Sequence, residues 1–264
     1  MSPDLPVVAG ERRWRQLSDS MLVWVSDVRA WAPGIETPAA WSIWSDNPCP
    51  VTSDERPAAA DVPAMTRRRL TRWGRQALEV AGPCAKHLSA ETPVIFSSRH
   101  GDTQRTLSLL ESLAAGQTLS PNAFSLSVHN SALGLFTILH ELQMPSVALA
   151  AGRETLAQAW IEAVTHLATG APRVLLVHTD EPLGGPYTPF ADEIDMPASV
   201  ALVLERKPVE GAVPVSLRCE ADTGADDERS MLLAFLAWWF SFEPQMRYRT
   251  GGTTWSWGRR DYVV

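Results

Sequence analysis

Apolar positions along the chain change rhythm several times, and each change marks an element. MLVWVSDVRAW, Met21 to Trp31, is apolar and β-prone and predicts a first strand, closed by the turn-forming APGIETP. Residues 45–63 carry Pro48, Pro50, Pro57 and Pro63 among Ser, Asp and Ala and predict a surface loop. In the stretch that follows, Leu70, Trp73, Ala77, Val80, Ala81 and Cys84 recur at helical spacing, with a kink or break expected at Gly82-Pro83. PVIFSS, Pro93 to Ser98, reads as a buried strand. Asp102 is placed to cap a helix running to Ala115, with Leu107, Leu110 and Ala114 as its stripe.

LSPNAF then interrupts the chain before a helix from Ser127 to His140, which carries Val128, Ala132, Leu135, Phe136 and Leu139 on one side. QMPSVALAA gives a strand, Thr155 to Thr169 a helix with Leu156, Trp160, Ala163 and Leu167 in register, and RVLLVHT and ASVALVLE two more strands. After residue 205, VPVSLRCEA suits a strand, and DDERSMLLAFLAWWFSF suits a helix with acidic residues at its positive end. Trp255 and Trp257 are expected to pack back on the core. The pattern predicts an α/β protein: one layered domain over 1–264, with its core in about 20–205 and a strand and helix extension over 206–264. The sheet is expected to be mixed, five-stranded and mostly parallel, its closing pair antiparallel.

Composition narrows the functions open to such a fold. The 264 residues are 45% apolar and 20% charged, ordinary for a folded protein, and their net charge of -7 argues against a nucleic-acid binder driven by phosphate neutralisation. Met231 to Phe242, the longest apolar run, is too short at about 1.5 Å per residue to cross a bilayer, so no transmembrane segment is expected. With no apolar leader and with Cys49, Cys84 and Cys219 in no CxxC spacing, the expectation is a cytoplasmic protein without disulfides, metal or cofactor.

Candidate chemistry concentrates in four places. No phosphate-binding loop is present, since neither GxxxxGK[ST] nor GxGxxG follows a strand. SSRHGD places Ser97, Ser98, Arg99, His100 and Asp102 at a strand end; a hydrolase would use Ser97 or Ser98 with His100 and Asp102, although neighbours so close in sequence are poorly placed to converge. His129 and His140, about 16 Å apart on a helix, cannot share a metal. Arg67, Arg68, Arg69, Arg72 and Arg75 form a basic exception that suits an acidic partner. Finally, PSVALAAGRET runs a strand through a glycine into a helix, the form of a nucleophile elbow, with Arg153 at the bend between Gly152 and Glu154.

Taken in order, MLVWVSDVRAWAPG, MTRRRLTRWGRQALEVA and SPNAFSLSVHNSALGLFTILHELQMPSVALA resemble the amino-terminal half of the β-ketoacyl synthases, condensing enzymes of the thiolase fold. In that family the reactive cysteine stands eight positions after the proline that opens the elbow strand; counted from Pro145, that position is Arg153. Arginine is permanently protonated and has no lone pair for a thioester. The family's two catalytic histidines lie in its later half, and no histidine follows residue 178 here. SSRHGD, SLSVHN, ALAAG, TDEP and WSWGRR are similar to segments of the short synthase-like subunit of aryl polyene pathways, described as a chain length factor.

The resemblance implies a thiolase-like half-fold and a non-catalytic subunit that heterodimerises with a catalytic β-ketoacyl-ACP synthase. Val128, Ala132 and Phe136, with Pro145, Ser146, Val147, Ala148, Leu149 and Ala150, are implied at the partner interface. Phe124, His129, Leu133 and Phe136 are implied as walls of the acyl pocket, so that Phe136→Ala would lengthen products. An acyl carrier protein would be met through the partner or on the arginines at 67 to 75. Three other readings stay open: a serine-dependent acyl-thioester hydrolase or transferase, a carrier-docking scaffold, and a decarboxylase.

Overall fold

The computed structural model describes residues 21–259. Alternating apolar positions make Leu22–Trp31 (β1) a strand whose Val23 and Val25 are buried. Thr37 then starts a helix absent from the sequence expectation. Its hydroxyl accepts from the Ala40 N–H at 3.2 Å, Pro38 stands where no N–H is needed, and Pro38–Asp46 (α1) buries Trp41 and Trp44.

The proline-rich loop leads into one turn, Ala64–Arg67 (α2), and then Arg72–Ala81 (α3), whose start is capped by Thr71. Leu70, Trp73, Ala77, Val80, Ala81 and Cys84 are all buried, as their spacing predicts. At Gly82-Pro83 the helix tightens into a 3-10 segment, Gly82–His87. Val94–Ser97 (β2) is buried throughout, and Asp102 caps Thr103–Ala114 (α4) by accepting from the Arg105 N–H at 3.0 Å.

One expectation fails at α4. None of its residues is buried, and Leu110 and Leu113 are 47% and 59% exposed. The helix packs mainly on the short Pro121–Ser125 (α5) instead of on the sheet, so its stripe faces outward. The next helix is also shorter than expected, because turns at Ser127 and Ser131 hold the preceding residues out of it; it spans Ser131–Leu139 (α6).

Ser146–Leu149 (β3), Thr155–Ala168 (α7), Arg173–Asp180 (β4) and Ala198–Glu205 (β5) follow their predicted places. The tail supplies Val213–Ala221 (β6), Met231–Phe240 (α8), Gln245–Thr250 (β7) and Thr253–Arg259 (β8).

These strands form one sheet in the order β3-β2-β4-β5-β1-β6-β8-β7. The mixed α/β class stands, but two expectations are corrected. The sheet has eight strands among the described residues, and only β2–β3 and β2–β4 are parallel. β4 returns to β5 without a crossover helix, and residues after 205 extend the sheet as antiparallel neighbours.

Helices cover both faces, so alternate strand residues enter two cores. Val174 and Leu176 join α1, α7 and α8 on one side, with Trp160, Phe235 and Trp257 fully buried. Leu175 and Val177 join α3 and α6 on the other, around Phe96 and Phe136. Trp255 and Trp257 therefore lie in the first core. Among the described residues no helix is long and apolar enough to cross a membrane.

Candidate functional site

The elbow is built by local backbone chemistry. After β3 the chain turns at Gly152, whose φ of +59° is left-handed and suits a residue without Cβ. Thr155 fastens the bend, since its Oγ1 donates to the Gly152 carbonyl at 2.6 Å and accepts from the Ala151 N–H at 2.9 Å, and α7 begins there. Arg153 is thus held at the tip between an edge strand and a buried helix.

Its guanidinium is satisfied inside the chain. Nη2 donates to the Asp227 carbonyl and, at 3.2 Å, to the Tyr248 hydroxyl oxygen; Nε meets Glu193 Oε2 at 3.2 Å, and Asp226 lies at 3.6 Å. Burial acts to lower the Arg153 pKa, but the hydrogen bond to Tyr248 and the negative charge of Glu193 outweigh it and raise it. Burial, reinforced by Glu193, pushes the Tyr248 phenol up to about 12.

Glu193 also binds Arg99, whose Nη1 lies 2.9 Å from Oε1, while Asp192 takes the same guanidinium through two oxygens at 2.8 and 2.9 Å. The segment between β4 and β5 is thereby strapped across the elbow. Beneath it the cavity lined by Arg99, Arg153, His178 and Leu232 has a volume of only about 10 Å³. That is room for about one water and far too little for an acyl chain. The neighbouring Glu154 carboxylate accepts from the Trp255 indole at 3.0 Å.

The SSRHGD cluster is wired differently from the hydrolase reading. Ser97 Oγ meets His178 Nδ1 at 2.8 Å, and His178 Nε2 lies 3.1 Å from Asp180. Ser98 donates to Asp180 at 2.7 Å and accepts from Trp73 and the Gly101 N–H. Among the described residues no hydrogen bond joins His100 to either serine, and Asp102 caps α4. A serine, a histidine and an aspartate do meet, but Ser97, Ser98, His178 and Asp180 are all buried and hydrogen-bonded within the chain. Burial opposes ionisation of Asp180, yet the His178, Ser98 and Arg99 hydrogen bonds prevail and lower its pKa.

The residues implied for an interface and pocket fall into two groups. Ala132, Leu133 and Phe136 are interior, Phe136 lying against Phe96 and His140, so they form no surface in this chain. His129 is tied by Nε2 to the Ser98 carbonyl at 2.8 Å. Phe124 and Val128, by contrast, are 61% and 43% exposed, and Ile138 joins them as an exposed apolar residue that the sequence pattern did not single out.

β3 is an edge strand. Pro145 and Leu149 turn their carbonyls to β2, accepting from Val94 and Ser98, so the alternate Ser146 and Ala148 present their N–H and C=O groups outward. The arginines also divide. Arg67 and Arg75 bind backbone carbonyls, Arg72 pairs with Glu181 at 2.8 Å, and Arg68 and Arg69 are exposed. Among the described residues no group of three His, Cys, Asp or Glu side chains is arranged to hold a metal.

An edge strand, a left-handed glycine and a buried helix, on a mixed sheet covered by helices on both faces, make this a thiolase-like α/β fold. Residues 41–258 match the β-ketoacyl synthase, N-terminal domain family, and the chain belongs to that family. Among solved structures it is similar to a chain of the ketosynthase ApeO in complex with its chain length factor ApeC from Xenorhabdus doucetiae. The identity is 27% and the TM-score 0.78, over 90% of this chain and 99% of that one.

The ishigamide ketosynthase/chain length factor (15% identity, TM-score 0.55, 77% of this chain and 68% of that one) shares the fold. So does AntDE:AntF, a type II polyketide synthase acyl carrier protein in complex with its ketosynthase (14%, 0.60, 78% and 70%). No curated protein matches the chain.

Proposed function

We propose that this chain is a non-catalytic chain length factor, pairing with a catalytic β-ketoacyl-ACP synthase and shaping the far end of its acyl pocket. The observation that carries the reading is Arg153. At the tip of a family elbow stands a side chain that cannot attack, locked by Glu193, Tyr248 and Asp227 over a cavity that admits no substrate. What remains to the elbow is its strand, which offers an uncharged edge to another sheet.

The likeness to a ketosynthase and chain length factor complex at 27% identity supports the pairing. So do the exposed leucines of α4 and the exposed Phe124, apolar groups that a partner would cover. An interface of this kind is expected to bury at least roughly 1,000 Å². Phe124 takes the place of Phe136 as the side chain to reach a partner's pocket, and a carrier protein is met through the partner.

Co-expression with the candidate synthase followed by size-exclusion chromatography tests the pairing, with a stoichiometric complex expected. Phe124→Ala in that complex is expected to lengthen products, because extension against a bulky wall costs about 1–3 kcal/mol per misfitting group. Two separate peaks would end the pairing reading; a complex with unchanged product lengths would end the wall assignment.

A further inference from the structure

A second concave region lies between residues 53–56, the start of α3 and the outer face of α4. It consists of two cavities of about 600 and 410 Å³ that share Arg56 and Gln104 and so form one groove. Each is of the size that small ligands occupy.

The walls are fixed by hydrogen bonds. Asp102 accepts from the Thr71 hydroxyl at 2.7 Å and from the Arg105 N–H and Nε at 3.0 and 3.2 Å, which ties the starts of α3 and α4 together. Arg105 also donates to the Arg69 carbonyl, and Arg72 to the Ser53 carbonyl, both at 2.6 Å. The groove is therefore formed before any ligand arrives.

Its charge is uneven. Four arginines (Arg56, Arg69, Arg72, Arg105) line it against two acids, Asp54 and Glu181. Arg72 and Arg105 are answered by Glu181 and Asp102. Arg56 and Arg69 are exposed and have no carboxylate within 4.0 Å among the described residues. The pKa of Arg75 is lowered first by burial and then by the positive charge of Arg56 and Arg67, and the charge of Arg56 also acts on Glu181. In a chain of net charge -7 this is a local inversion.

Guanidinium groups present paired donors that match phosphate oxygens, and Gln104, Ser108 and Ser112 add hydrogen-bonding groups along α4. We propose that the groove binds a small phosphate ester or diphosphate, its anion held by Arg56 and Arg69 and its body lying along α4. The inference goes beyond chain length control and does not depend on it.

Isothermal titration of the full chain with pyrophosphate and with inorganic phosphate, at ionic strength held constant with chloride, tests it. If the chain requires its synthase for solubility, the complex is used. One saturable site is expected, weakened roughly tenfold or more in Arg56→Gln and in Arg69→Gln, as expected for loss of a charge-assisted hydrogen bond. Arg247→Gln, on the opposite edge strand, should leave it unchanged, and synthase pairing should be unaffected by all three changes. No saturable binding, wild-type affinity retained in either groove variant, or an equal loss in Arg247→Gln would each overturn the proposal.

Discussion

Arg153 gives its donors to Glu193, Asp227 and Tyr248, which stand 40, 74 and 95 residues further along the chain. Its inability to attack is legible from residue type alone. Its partners are not, because only the finished sheet brings β7 and the strap to the elbow. Removing the side chain leaves the Asp227 carbonyl without its donor and Glu193 with Arg99 alone, so Arg153→Ala should lower stability by about 1.5–3 kcal/mol, read from urea denaturation of the folded variant. Wild-type stability would show that these bonds carry no weight.

A second residue gives a pH signature. Burial, followed by the charge of Asp180, pushes the Asp195 carboxyl up to about 7, while the Ser230 hydroxyl donates to it at 2.9 Å. An unfolded aspartate titrates near ~4. Between those values the folded state holds a proton that the unfolded state gives up, so this group's cost to stability is absent below ~4 and grows as pH rises to 7. Asp195→Asn keeps an acceptor for Ser230 and should stabilise the chain at pH 8, by up to roughly 4 kcal/mol, while flattening the decline between pH 4 and 7. Thermal melts across that range check it; an unchanged pH profile would contradict it.

At the scale of elements, the two edges of the sheet are treated differently. β7 carries Arg247 and Arg249 at exposed positions, and the loop before α8 crosses its edge, with the Asp227 N–H donating to the Arg249 carbonyl at 2.9 Å. That is a protected edge. β3 has no charge: Val147 and Leu149 pack on one core and Ala148 on the other, and its outer ladder is open. Ala148→Pro removes an outward N–H that the chain does not itself use. It should abolish pairing with the synthase while leaving circular dichroism near wild type; a variant that still pairs would move the interface off β3.

The helices and strands with strong internal rhythm were readable, as the buried faces of α3 and α7 show. α1 was hidden because two tryptophans among small and polar residues give little periodicity. α4 misled because an amphipathic stripe marks a face to be covered without saying what covers it.

For the whole molecule, the alternation of strand and helix indicated the α/β class, but strand order depends on pairings far apart in sequence. Residues after 205 could not be placed from their own pattern, since β6 joins β1 and the β7–β8 hairpin closes on β6 only in the assembled sheet. That closure puts Tyr248 and Asp227 over the elbow, so the part least legible in the sequence is the part that seals the site. Under the proposed function, a chain built this way presents surface instead of chemistry.

Hydrogen–deuterium exchange of the chain, with and without the proposed synthase partner, reads that surface residue by residue. The account predicts that the outward amides of Ser146 and Ala148 become strongly protected in the complex, while those of the β7 edge do not change. Fast exchange at Ser146 and Ala148 in a complex that has formed would contradict it.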